Sequence, residues 1–155
     1  MKIPHYEQET EYTCGPACCR MILASFGIKR KEKQIASILR TGPRHGTMHK
    51  NFQEVAERYK ARFISRNDSS ITELREVLRK GYKVVICYLV PSFGFHHYSV
   101  LRKIDDDYVY LNDPAFGAEH RYSINRFKKL WGVNSQFDKQ RRWFAAFKKV
   151  NGTKN

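Results

Sequence analysis

The stretch YKVVICYLVP, residues 82 to 91, constrains this fold more than any other part of the sequence. A membrane-spanning helix needs about 20 apolar residues. Ten residues holding a lysine and a proline do not cross a bilayer, and they fit a buried strand. The sequence changes character around this stretch. Upstream, SSITELREVLRKG at 69–81 places Ile71, Leu74, Val77 and Leu78 at helical spacing behind a serine N-cap candidate, and Gly81 closes the pattern. Downstream, strands are predicted at 83–90, 97–104 and 108–112, the last two joined by the DDD turn at 105–107. A short helix near 124–131 and an aromatic strand near 142–148 complete that half. Ahead of residue 69 the periodicity predicts helices at 14–26, about 30–40 and about 47–60. The first turns Cys18, Met21, Ile22 and Phe26 inward, has Thr13 as its N-cap candidate, tolerates Pro16 in its first turn and ends at Gly27. Helices first and sequentially adjacent strands afterwards give the fold class α+β.

With 155 residues, 41% of them hydrophobic, residues 1–150 are expected to form one domain with its own core, followed by the polar tail NGTKN at 151–155. The 29 Lys and Arg against 15 Asp and Glu give a net charge of +14, which favours nucleic acid, anionic membrane or acidic protein as partners. There is no glycine-rich phosphate loop, finger spacing or RNA-binding aromatic signature, so no specific nucleic acid is expected. Lys29, Arg30, Lys31, Lys33, Lys128, Lys129, Arg141 and Arg142 are instead expected outside any catalytic cleft, as a solvated face or a docking surface for an acidic partner. The cysteines, Cys14, Cys18, Cys19 and Cys87, form no framework across the chain, so reduced thiols and a cytoplasmic location are expected. Met1-Lys2 leads into His5, Glu7, Glu9 and Glu11, not into the apolar core of a secretion signal.

A cysteine in the first turn of a helix has its sulfur near unsatisfied N–H groups and the positive end of the dipole, a setting that favours the charged nucleophile. Cys14 has that position, although a small buried cysteine is the plain alternative. Gln8, six residues earlier, offers amide donors that meet the Cys14 backbone N–H at one oxygen if the intervening segment folds back over the helix start. The matching base is a histidine. His97 opens the alternating strand HYSVLRKI and is the first choice; His96 is the second. A register symmetric about Asp105 pairs Leu101 with Val109 and sets His97 opposite Asp113, which then accepts the second imidazole proton. A slip of one residue turns the face over. Asn112 is the neighbouring candidate for that orienting role, and NDPAFG also reads as a plain turn.

QETEYTCGPACCRMI, HHYSV, LNDPAFG and INRFKKLWG together resemble the bacteriocin-processing type of cysteine peptidase domain, in the papain-like superfamily, over about residues 4 to 132. The resemblance implies an N-terminal helical half packed against a C-terminal antiparallel sheet, with the cleft between them. It implies Gln8 in the oxyanion hole, Cys14 as nucleophile, His97 as base and Asp113 as its orienting partner, with a peptide or protein substrate and no cofactor. Exporter-linked members cut after a Gly-Gly pair. This chain departs from their pattern at Thr13, where an acidic residue is usual, and at Pro16. Three other readings stand beside the peptidase: a non-catalytic peptide-binding domain, a thiol acyltransferase or amidase on the same fold, and a zinc site on Cys14, Cys18 and a distant histidine. The last lacks the second close ligand pair of structural zinc. Cys18 and Cys19 read as packing residues, with Cys19 open to partial exposure.

Overall fold

The computed structural model describes residues 2–150, so the expected polar tail at 151–155 lies outside the described residues. The chain runs α1 (Cys14–Ser25), α2 (Glu32–Leu39), a 3-10 turn (His49–Asn51), α3 (Phe52–Arg58), β1 (Arg62–Arg66), α4 (Ile71–Arg79), β2 (Lys83–Val90), β3 (Phe95–Ile104), β4 (Tyr108–Asp113), β5 (Gly117–Ser123), α5 (Ile124–Trp131) and β6 (Phe144–Lys148). The strands form one sheet in the order β1-β6-β2-β3-β4-β5, with every neighbouring pair antiparallel. The fold is α+β, with the early helices packed on an antiparallel sheet.

The apolar run that begins at Lys83 is explained by what covers it. Val85 and Cys87 of β2 face a core built with Cys18, Ile22, Ile35, Phe52 and Val55 from α1, α2 and α3. Val84, Ile86 and Tyr88 face a second core with Leu74 of α4 and Phe127, Leu130 and Trp131 of α5. A strand buried on both faces has no solvent side on which to alternate polar residues. Tyr88 and Ile86 are each fully buried; burying an apolar side chain of this size contributes roughly 1.5–3 kcal/mol.

α4 begins as its sequence requires: the Ser70 hydroxyl accepts a hydrogen bond from Glu73 N. Just past the end of α1 stands Gly27, whose φ of 87° belongs to the left-handed region that glycine occupies without strain. Two strands went unpredicted, β1 and β5, and both lie at the edges of the sheet. Their sequences, RFISR and GAEHRYS, carry charges and partly exposed positions. Short charged strands keep a sheet edge from pairing with other chains, and the same features hide them among loops. Cys19 is 1% exposed and belongs to the core, which corrects the expectation that it is partly open.

Candidate active site

Cys14 is the first residue of α1. Thr13 precedes it, but its side chain does not cap the helix as expected. Its hydroxyl turns back to accept a hydrogen bond from Thr10 N at 3.0 Å and to pair with the Thr10 hydroxyl at 2.8 Å. The Glu32 carboxylate, 2% exposed at the start of α2, accepts from Glu9 N at 3.0 Å and is hydrogen-bonded to Thr13. Burial pushes the Glu32 carboxyl up, and these two hydrogen bonds oppose the rise. One buried carboxylate therefore ties together both ends of the loop entering α1. With no side-chain cap, and with Pro16 carrying no N–H, the positive end of the helix is left to Cys14 and Gly15. Gly15 is required by packing: a Cβ there would come within 2.5 Å of the Thr47 hydroxyl oxygen. Thr47 is itself held, its hydroxyl by Thr41 at 2.6 Å and its carbonyl by the Tyr98 hydroxyl at 2.6 Å.

His97 and Asp113 meet at 2.8 Å, His97 Nε2 to Asp113 Oδ1, and both are buried. The His97 side chain is also hydrogen-bonded to Cys14, which leaves Nδ1 as the nitrogen facing the sulfur. Tyr98 N donates to Cys14 Sγ at 3.5 Å, fixing the sulfur against the backbone of β3. Asp113 accepts three further hydrogen bonds, from Ala115 N at 2.9 Å, Phe116 N at 3.1 Å and the Tyr88 hydroxyl at 2.8 Å. Burial alone pushes its carboxyl up, but the His97 hydrogen bond and charge, with the Ala115 and Tyr88 donors, hold it down at about 2. Burial likewise works against a charged His97. The Cys14 charge and the hydrogen bonds to Asp113 and Cys14 outweigh it, and the imidazole is raised.

The hairpin register differs from the symmetric one. Leu101 pairs with Leu111 and Val100 with Asn112, and a bulge separates Leu101 from Lys103. His97 and Asp113 are consequently diagonal neighbours instead of directly opposed residues. An offset of two keeps both side chains on one face, so the contact survives a register that one residue of slip would have destroyed. Asn112 points the other way, its Oδ1 meeting His5 Nδ1 at 2.7 Å and its Nδ2 donating to the carbonyls of Ile3 and Pro4. It ties down the N-terminal segment and does not orient His97.

Gln8 is brought to the same corner, its N–H donating to Pro114 O at 2.9 Å. Its Nε2 donates to Thr10 O at 2.8 Å, while its Oε1 is buried without a partner. Cys14 opens onto a cleft of about 580 Å³, walled in part by Tyr12, His45, Phe95, His96 and Phe137. His96 stands in that wall with Nε2 against Val133 O at 3.1 Å, away from the His97–Asp113 pair. All four cysteines are free, and only Cys14 is not buried. Burial pushes the other three thiols up. Among the described residues no group of three or more His, Cys, Asp or Glu is placed to hold a metal, and no helix is long and apolar enough to cross a membrane. None of the eight basic residues expected outside the cleft lines it.

A sequence model of the Peptidase_C39 like family matches residues 1–138. The chain belongs to that family. Among curated relatives of this C39-like chain, the probable functional amyloid protease FapD of Pseudomonas aeruginosa is 27% identical over 136 residues, which is 81% of this chain and 55% of FapD. The chain thus spans about half the length of that relative. Among solved structures, a putative C39-like peptidase from Bacillus anthracis superposes with a TM-score of 0.75 at 17% identity, covering 96% of both chains. A double glycine motif protease from an AMS/PCAT transporter, solved with its leader peptide, superposes with a TM-score of 0.68 at 22% identity, covering 96% of this chain and 93% of the other.

Two residues of the C39-like site were not read from the sequence. Tyr88 lies directly across from His97 in the β2–β3 ladder and reaches Asp113. In sequence it is one aromatic in an apolar run, and only the strand pairing reveals it. Glu32 carries no sequence signal beyond its place at the start of a helix.

Proposed function

We propose that this chain is a cysteine peptidase that hydrolyses a peptide bond through a Cys14 acyl-enzyme. The observation that carries the reading is the continuous line from Cys14 through His97 to Asp113, with the imidazole hydrogen-bonded at both nitrogens. His97, raised by its partners, is the imidazolium of a thiolate–imidazolium pair. The sulfur attacks the scissile carbonyl carbon, and the C=O electron pair moves to oxygen. Cys14 N–H at the uncapped end of α1 and the second N–H of Gln8 Nε2 receive that oxyanion. His97 Nδ1–H passes its proton to the departing amine as the C–N bond breaks, leaving a thioester. Water then attacks the thioester with His97 as base, the C–S bond breaks, and the acid product leaves. Asp113 stays ionised throughout, keeping the Nε2–H in place. A preference for small residues such as Gly-Gly at the cut is supported by the likeness to the double glycine motif protease, and a peptide substrate by the leader peptide bound there.

A diverse peptide library incubated with wild type, Cys14→Ala and Gln8→Ala, read by mass spectrometry, tests the reading. Cuts are expected at small residues with wild type and none with Cys14→Ala. Gln8→Ala is expected to cut the same bonds roughly 10²–10³ more slowly, the cost of one oxyanion donor. Cleavage that persists without Cys14 removes the nucleophile. Cys14-dependent cuts at bulky residues only remove the small-residue preference and leave the chemistry standing. A thioester that forms but is discharged to an amine places the chain among transferases.

A further inference from the structure

A separate cavity of about 430 Å³ lies at the opposite end of the β2–β3 pair from Cys14, where β2 starts, β3 ends and α4 closes. It shares no lining residue with the Cys14 cleft. Five of its eleven lining residues are basic, Arg75, Arg79, Lys83, Arg102 and Lys103, and none is acidic. Across the chain only 29 of 155 residues are Lys or Arg, so the cavity more than doubles the chain's own basic share. The excess charge of the molecule is thus gathered into a concave site as well as spread over convex faces.

Two nearby carboxylates already have partners. Glu76 holds Arg79 on α4 at 2.5 Å, and the Asp105 carboxylate accepts from Asp107 N, Tyr108 N and the Tyr110 hydroxyl. Arg75 donates to the Asp105 backbone carbonyl at 3.0 Å, an interaction that leaves its charge uncompensated. The Arg102 Nε is buried and has no hydrogen-bond partner. The Arg102 guanidinium lies over the Tyr110 ring at 5.4 Å and Lys103 Nζ over the same ring at 4.6 Å, so an aromatic face holds both cations and leaves them open to an anion. The remaining walls, Ile3, Leu78, Leu101, Ile104 and Tyr82, are apolar or aromatic. The volume is in the range of small-molecule pockets.

We propose that this cavity binds a phosphate-bearing small molecule with several negative charges and an apolar or planar part, of the chemistry of a nucleoside polyphosphate. Arginine forks match phosphate oxygens two at a time, and lysine adds point charge. Leu78, Ile104 and Tyr82, all partly exposed, receive the uncharged part. No glycine-rich loop is involved; the anion is held by side chains at the end of a sheet.

The test is a calorimetric titration of the full chain with ATP, tripolyphosphate and adenosine at physiological salt, which needs no peptidase activity, so its outcome is separate from that of the peptidase reading. Saturable micromolar ATP binding is expected, with weaker tripolyphosphate binding and no detectable adenosine binding. Arg102→Ala/Lys103→Ala should weaken ATP about tenfold or more. Lys103→Ala alone, at an exposed position, should weaken it in the same direction if the double variant fails to fold. Lys128→Ala/Lys129→Ala on exposed α5 positions should leave it unchanged. No saturable ATP binding, or equal losses in the two pairs, would overturn the site. Tripolyphosphate binding as tightly as ATP would overturn the role of the apolar walls. Competition by short duplex DNA with a steep salt dependence would overturn the small molecule in favour of a nucleic-acid backbone.

Discussion

Asp113 shows how a single carboxylate is made fit to hold a histidine. Left alone in the interior it would take up a proton, since burial disfavours its charge. Two backbone N–H groups, the Tyr88 hydroxyl and His97 keep it ionised at full burial. In the proposed mechanism Tyr88 is thus a positioning residue that acts through Asp113. Tyr88→Phe keeps the ring and removes that donor, and a hydrogen bond to a charged group is worth about 1.5–3 kcal/mol. The variant is expected to lose stability of that order and to lower kcat about three- to tenfold with KM little changed. It should also shift the alkaline limb of the rate profile to lower pH, because a less firmly ionised Asp113 supports the His97 charge less well. An unchanged pH profile with reduced stability alone would reduce Tyr88 to a packing residue. At this scale the sequence singled out Cys14, His97 and Asp113 by residue type, and the structure brings the three side chains together. It was silent on Tyr88, whose role depends on pairing with a strand and reaching a carboxylate 25 positions away.

The first turn of α1 is where element and site coincide. The expected helix is present, but Thr13 caps nothing and instead holds Thr10, so the loop is closed upon itself and the helix end stays open. Gly15 lets the Thr47 segment come against that open end, and the same segment accepts from Tyr98, whose backbone N–H meets the Cys14 sulfur. Gly15→Ala places a methyl 2.5 Å from a β-branched side chain held by Thr41, so neither partner gives way cheaply. Overpacking of this kind costs roughly 1–3 kcal/mol. A fall in the denaturation midpoint of that order is expected, together with slower alkylation of Cys14 by iodoacetamide. Thr47→Ala in the same chain should restore part of both, since it removes the atoms that collide. No recovery in the double variant would mean that Gly15 is needed for backbone freedom and not for space. Helices and central strands were legible because each has an apolar face of definite period. The edge strands were not, and neither was the two-residue register offset: the turn end pairs Ile104 with Val109, three residues away from the symmetric register, and a bulge at Arg102 takes one of the three back, which no local pattern announces.

At the scale of the whole molecule, His97 on β3 and His49 in the 3-10 turn are shifted in opposite directions, and each ties stability to pH. His97 is raised, so its contribution is fully present below the ordinary histidine value and is lost as pH rises through its folded value. His49 is lowered to about 3, chiefly by burial and then by the charge of His96. Its ring stacks on Trp143 at 4.0 Å, and Nδ1 faces the Tyr98 hydroxyl at 2.6 Å and Asp138 Oδ2 at 3.3 Å. The Tyr98 proton goes to Thr47 O, so Nδ1–H must be the donor to Tyr98, which fixes a neutral tautomer. Asp138 does not rescue the charged form as pH falls, because burial pushes its own carboxyl up. Between pH 6.5 and about 3 the unfolded chain therefore binds a proton that folded His49 refuses, and stability falls with pH across that window. Below it the penalty stops growing. His49→Gln keeps a donor toward Tyr98 and cannot titrate. It is expected to be less stable than wild type at neutral pH, yet to lose on the order of 2–4 kcal/mol less between the two ends of the window. Urea denaturation at closely spaced pH values measures both. Parallel curves for wild type and His49→Gln would show that acid sensitivity arises elsewhere, with Asp113 the next candidate, since its lowered carboxyl releases stability only as pH falls toward about 2. The order of the losses thus separates the two groups: a variant-sensitive loss that begins just below pH 6.5 belongs to His49, and one confined to the most acidic points belongs to Asp113.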